Sequence, residues 1–202
     1  MYLLSRTNKK YILLVSMFLL SVSASASRVT QAETVCLKPG QMSINGVSLL
    51  EKSDVVFKKM GQPEDVKRYK YHSDGNAGSY FLKDLIYQDL IFTIVDEKKR
   101  VNQIERMILS GPKYKLGAEF YIDQKKSEIM TLLGIKSEKE VMSLTERDLF
   151  LSGKAAKLSA ASKKSWALSQ CGDETGSINA EFYFDISNKL SQVKIFLDDR
   201  FI

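Results

Sequence analysis

The 202-residue chain has a single histidine, two cysteines, three prolines and one tryptophan. One histidine is too few for a His-built metal centre, and two cysteines with it are too few for the usual Cys/His zinc site. Any Ser-His-Asp arrangement would have to run through His72. Signature loops for phosphate binding, nucleophile elbows, H-E-x-x-H and C-x-x-C are all missing. No cofactor and no metal are therefore expected, and the chain reads as a non-enzyme. With 44% hydrophobic residues, the composition is that of a globular protein rather than a disordered or fibrous one.

Residues 1–26 carry the three parts of a secretory signal. Arg6, Lys9 and Lys10 make a basic start, Tyr11–Val22 is an apolar run, and Ala24-Ser25-Ala26 is a small-residue cleavage pattern. The run is shorter than the roughly 20 apolar residues a membrane-spanning helix needs. Cys36 lacks the small apolar residues of a lipid-modification site before it, since Glu33-Thr34-Val35 precede it. The expected location is periplasmic or secreted, with no transmembrane anchor after cleavage and a lead-in over 27–42. Removing the signal takes three basic groups and no acids from the 30 Lys+Arg and 24 Asp+Glu, which leaves 27 − 24 = +3. That is too little for a nucleic-acid binder, which concentrates basic charge on one face. Two cysteines in an exported chain are most simply joined, here Cys36 with Cys171.

Self-similarity organises the remainder. Leu49–Gly61 resembles Ile122–Gly134 at an offset of 73, and the i,i+4 pairs Val56/Met60 and Ile129/Leu133 predict two short amphipathic helices. Gly61 and Gly134 are placed to end them, and Pro63 forbids continuation of the first. Downstream, Ile94–Ile104 aligns with Tyr183–Val193 at an offset of 89, each a hairpin signal. Strands are expected over Val66–Tyr71, Ser79–Tyr87, Trp166–Cys171 and Ile178–Phe184. The expected fold class is α+β, with a repeat over 43–112 and another over 113–202, helices packed on one face of the sheets. The second would carry a Lys/Ala/Ser-rich insert near 151–165.

A helical element ending in Met60-Gly61-Gln62-Pro63, followed by an antiparallel meander and then repeated, resembles the beta-lactamase-inhibitor-protein-like fold. The related single-copy unit is that of the SmpA/BamE-like envelope proteins. The resemblance implies a non-enzymatic binder, either an inhibitor of a secreted hydrolase or an assembly scaffold of the outer membrane. It transfers no binding residue.

Candidate surfaces follow from strand alternation. Ala180, Phe182 and Phe184 mark a core face, and the 89-residue offset then puts Ile91, Thr93 and Val95 on the core side. Leu90, Phe92 and Ile94, with Met107, are left on an apolar outer face, to which Tyr69 and Tyr71 add an aromatic strip. Such a face suits another envelope or secreted protein, or else a seam between the repeats. Lys154, Lys157, Lys163 and Lys164 offer weak contact with an anionic surface. A hydrolase built on His72 with Ser73 or Asp74 is the enzymatic alternative, against the plain reading of a strand-end histidine beside a turn. Asp96 and Asp185 read as turn residues, and Asp198 and Asp199 as a solvated end.

Overall fold

The computed structural model describes residues 35–72, 79–96, 102–141, 164–173 and 177–198. The signal segment 1–26, Ser73, Asp74, Lys154, Lys157, Lys163 and Asp199 lie outside the described residues. In chain order the elements are β1 (Cys36–Leu37), α1 (Ser53–Met60), β2 (Asp65–His72), β3 (Ser79–Tyr87), β4 (Leu90–Val95) and β5 (Ile104–Leu109). Then come β6 (Lys115–Leu116), β7 (Phe120–Tyr121), α2 (Lys126–Leu132), β8 (Ser165–Gln170), β9 (Ile178–Phe184) and β10 (Leu190–Leu197).

Both helices end where their glycines require. Gly61, at φ +79°, gives its N–H to the Phe57 carbonyl, and Gly134, at φ +68°, follows the last turn of α2. Each helix sends one fully buried side chain into the core, Val56 and Ile129. A helix of seven or eight residues is not stable alone, so these two depend on the sheet beneath them.

Eight strands form one mixed sheet in the order β1-β8-β9-β10-β5-β4-β3-β2, with β6 and β7 as a separate pair. Among the described strands only β1 and β8 run parallel. This overturns the expectation of two tandem helix-plus-sheet repeats. The strand β10 pairs directly with β5, Val193 against Leu109 and Ile195 against Met107, so hydrogen bonding runs through the boundary placed at residue 112. One core cluster follows, in which Phe92, Met107 and Val56 share packing with Phe182, Trp166 and Ile129.

The outer-face assignment of Leu90, Phe92, Ile94 and Met107 is also overturned. All four are buried to 2% exposure or less, on the face the helices cover. The reason is a slip of register. Ile94 pairs with Ile104 and Phe184 with Leu190, so the two hairpins enclose residues 95–103 and 185–189 respectively. Phe92 opposite Met107 therefore faces as Phe182 does opposite Val193, an offset of 90 rather than 89. In a strand one residue of slip moves every side chain to the other face. Ile91, Thr93 and Val95 accordingly lie on the outer face, not the core side. Bulges at Glu105 and Ser191 similarly put Met107 with Ile195 on the core face and Phe196 on the other.

Cys36 and Cys171 are disulfide-bonded across 135 residues and fasten the two-residue strand β1 to the sheet. In the chain-entropy account a closure of that length restricts the unfolded chain by about 5 kcal/mol. Replacing both cysteines by alanine should lower unfolding free energy by about 2–5 kcal/mol, read from denaturant titration. Phe92→Ala should cost about 3–5 kcal/mol in the same assay, as for a buried phenylalanine. A loss under about 1 kcal/mol would contradict its place in the core.

Candidate binding face

With the apolar residues of each strand committed to the helix side, alternation turns the intervening side chains outwards. Register aligns them in rows across the sheet. One row runs Lys67, Asp84, Thr93, Arg106, Phe196 and Asn179, each opposite the next on a neighbouring strand. A parallel row brings together Ile86, Ile91 and Ile108, all half-buried.

The centre of this face is a closed polar ring. Thr93 Oγ1 donates to Asp84 Oδ1 at 2.7 Å and accepts from Arg106 Nε at 3.2 Å. Tyr69 Oη donates to the same Asp84 oxygen at 3.2 Å and accepts from Arg106 Nη2 at 2.7 Å. Arg106 and Asp84 themselves stand 4.0 Å apart, so the two hydroxyls bridge a loose ion pair. Thr93 is only 1% exposed, and a buried hydroxyl without partners would be costly. Here it both donates and accepts. Burial holds the Tyr69 hydroxyl above its ordinary value of 10; the Arg106 charge opposes that rise and Asp84 adds to it. It is a neutral donor at physiological pH, not a base.

Two further contacts extend the face. Tyr80 Oη donates to Glu105 Oε1 at 2.9 Å, and its ring meets Tyr71 edge-on with centroids 5.2 Å apart. On β9, Tyr183 Oη donates to Glu181 Oε2 at 2.6 Å, with Lys194 Nζ at 3.5 Å from the same oxygen. Burial, reinforced by the Glu181 hydrogen bond and charge, pushes the Tyr183 hydroxyl strongly upwards.

Of the six side chains expected at a partner surface, Tyr69 and Tyr71 lie on this face, and the other four do not. Asp84, Thr93 and Arg106 were missed, because only a known register shows that they meet. His72 is exposed; its Nδ1 lies 2.6 Å from Ser79 Oγ across the end of the β2–β3 hairpin. Among the described residues no carboxylate hydrogen-bonds its ring to complete a triad. Asp185 Oδ1 accepts from the N–H groups of Ser187 and Lys189, the turn role expected of it. Asp96 instead pairs with Arg68 across the sheet at 2.7 Å. Asp198 is 3% exposed, which corrects its reading as a solvated end, while Lys164 is exposed.

An open cavity of about 330 Å³ lies between the start of α2 and the β9–β10 turn, lined by Lys125, Lys126, Ser127, Glu138 and Lys189 among others. Its central charge is already matched. Lys126, almost wholly buried, pairs with Glu138 at 2.8 Å and sits 5.2 Å and 5.0 Å from the Trp166 and Phe184 ring centroids. Among the described residues no cluster of His, Cys, Asp and Glu could hold a metal ion, and no helix is long and apolar enough to cross a membrane.

No family model and no curated protein matches the chain. Two of the solved structures similar to it are secreted proteins of bacteria. One is a 1.5 Å crystal structure of an extracellular protein containing an SCP domain from Bacillus anthracis, at 15% identity and a TM-score of 0.42, covering 75% of this chain and 45% of that one. The other is a cysteine-rich secretory protein from Staphylococcus aureus, at 16% identity and a TM-score of 0.45, covering 83% and 49%. The chain thus spans about half the length of each. The resemblance to the beta-lactamase-inhibitor-protein-like and SmpA/BamE-like folds is withdrawn, because it rested on a repeated unit and the strands of both supposed copies form one continuous sheet.

Asp84→Ala should cost about 1–3 kcal/mol of stability, since it strands the donors of Thr93, Tyr69 and Arg106. Above pH 10, tyrosines in the unfolded chain lose protons that Tyr69, Tyr87 and Tyr183 retain when folded. Their raised values stabilise fully below the unfolded value, and that contribution is lost as pH rises beyond it. The denaturant midpoint should therefore fall between about pH 9 and about pH 11, and Tyr183→Phe should flatten the fall. An unchanged slope in that variant would contradict the burial of its hydroxyl.

Proposed function

We propose that this chain is an exported, non-enzymatic protein-binding module whose contact surface is the outer sheet face between β2 and β5. The observation that carries the reading is the ring of Tyr69, Asp84, Thr93 and Arg106. It fixes a tyrosine and an arginine, the residue types that dominate interface energetics, in one geometry before any partner arrives. Ordering such side chains in advance removes an entropy cost that binding would otherwise incur. Beside them, Ile86, Ile91 and Ile108 supply half-buried apolar area, so the face combines an apolar patch with fixed polar anchors. The leader-like residues 1–26 and the Cys36–Cys171 disulfide support an oxidising compartment outside the cytoplasm.

Photo-crosslinking in the producing cell tests this. A crosslinking amino acid at Tyr71 or Ile91 should yield a discrete heterologous adduct. The same group at Ile186, a 96% exposed residue of the β9–β10 turn, should not. Tyr69→Ala should reduce the Ile91 adduct by about tenfold or more, the scale of one aromatic anchor. Equal adducts from Ile186, or none from the face, would refute the assignment.

A further inference from the structure

The sheet has two edges, and they differ. At the β8 edge the two-residue β1 pairs with Ser169 and Gln170 and is fastened through Cys36–Cys171. The opposite edge is β2, eight residues long, and no described residue pairs with its outer side. The ladder fixes which of its backbone groups face outwards. Asp96 N–H bonds to the Phe81 carbonyl, so Phe81 turns its backbone to β4, while Tyr80 and Leu82 turn theirs to β2. Tyr69 and Tyr71, opposite Leu82 and Tyr80, are thereby bonded into the ladder. Alternation directs the N–H and C=O groups of Val66, Arg68, Lys70 and His72 at the free edge, where the Val66 N–H already donates to Asp65 Oδ1 at 2.8 Å.

The side chains of that edge are mainly basic. Residues 65–72 hold Lys67, Arg68 and Lys70 against one acid, Asp65, and Arg68 is paired with Asp96 of the neighbouring loop. Lys67 stands on the outer face and Arg68 and Lys70 on the helix side. Beside them two large apolar side chains are exposed, Val66 at 47% and Phe81 at 41%, with the Arg68 guanidinium 4.4 Å from the Phe81 ring centroid. We infer that β2 receives an extended acidic segment of a partner protein as a ninth strand. Main-chain hydrogen bonds supply the attachment, and carboxylates opposite Lys67 and Lys70 supply the selectivity. An apolar residue of the segment covers Val66. A second copy of this chain does not fit, because antiparallel pairing of β2 with itself sets basic side chains against basic side chains.

This inference rests on the reading of the chain as a protein binder, but it uses the edge, not the outer face. The probe is a synthetic peptide of about ten residues, a strand's length, with glutamate at every third position and valine between, so that successive carboxylates fall on opposite faces as Lys67 and Lys70 do. Isothermal titration with the purified protein should show binding that weakens with added salt, while the lysine-valine counterpart does not bind. Lys70→Glu should weaken the acidic peptide by about tenfold or more and admit the basic one. Lys70→Pro removes one outward N–H while sparing the ladder to β3, so it should abolish binding with little change in thermal unfolding. A peptide N-methylated on alternate amides gives the same test without altering the protein. Tyr69→Phe should leave peptide binding intact, which separates failure of the edge from failure of the outer face. Failure of the acidic peptide to bind, equal binding of the basic peptide, or binding unaffected by both Lys70→Glu and N-methylation would overturn the inference. So would a dimer of the free protein that Lys70→Pro dissociates.

Discussion

The antiparallel pairing of β5 with β10 is the contact on which the rest of the structure depends. Leu109 lies against Val193 and Met107 against Ile195, and through these pairs the strands β2–β5 and β8–β10 become one sheet. A pairing between residues so far apart in sequence costs loop-closure entropy before it returns anything. The return is a single core. Phe120 meets Phe182 edge-on and Tyr87 meets Phe92, while α1 and α2 each add one fully buried aliphatic side chain. Helices of this length hold no stability of their own, so without the continuous sheet neither has a surface to fold against.

The same alternation that builds the core dictates the chemistry of the other side. A strand that commits every second residue to the helix face must place the others together in rows, and their character is set by what those rows can satisfy. Asp84 and Arg106 are held by Thr93 and Tyr69 rather than by direct contact, which spares each charge full desolvation without a partner. Lys126 solves the same problem on the helix side. Its ammonium is matched by Glu138 and by the rings of Trp166 and Phe184.

The parts of this fold that are local were legible in the sequence. Val56/Met60 and Ile129/Leu133 marked two helices, Gly61 and Gly134 marked their ends, and turn-bounded apolar runs located β2, β3, β8 and β9 within a residue or two. Cys36 and Cys171 were legible because an exported chain with two cysteines has one intramolecular pairing to make. What failed was assembly. Aligning Ile94 with Tyr183 assumed hairpins of matched geometry, whereas the enclosed segments are 95–103 and 185–189 and each hairpin contains a bulge. That slip alone carried Leu90, Phe92 and Ile94 to the wrong side. No local signal marks Leu109 as the neighbour of Val193, so two repeats were expected where one sheet forms. Asp84, Thr93 and Arg106 were invisible for the same reason, since polar residues of three different strands become a group only through register.

Edges decide how such a sheet behaves among other proteins. A strand's unpaired N–H and C=O groups are a template for further pairing, and proteins either cover that template or charge it. Here the two remedies are divided between the two edges. At β8 the cover is covalent, a two-residue strand that would hardly stay in place without Cys36–Cys171 to hold it. At β2 the remedy is charge, with Lys67, Arg68 and Lys70 along eight residues. Charge repels another β2 but attracts an acidic strand, so it guards selectively where a cover guards absolutely. Val66 and Phe81 remain exposed beside it, and apolar exposure at a sheet edge is a liability unless some partner makes use of it. Among the described residues, one edge thus carries a disulfide-held strand and the other carries charge, which is the asymmetry the inferred acidic partner would exploit.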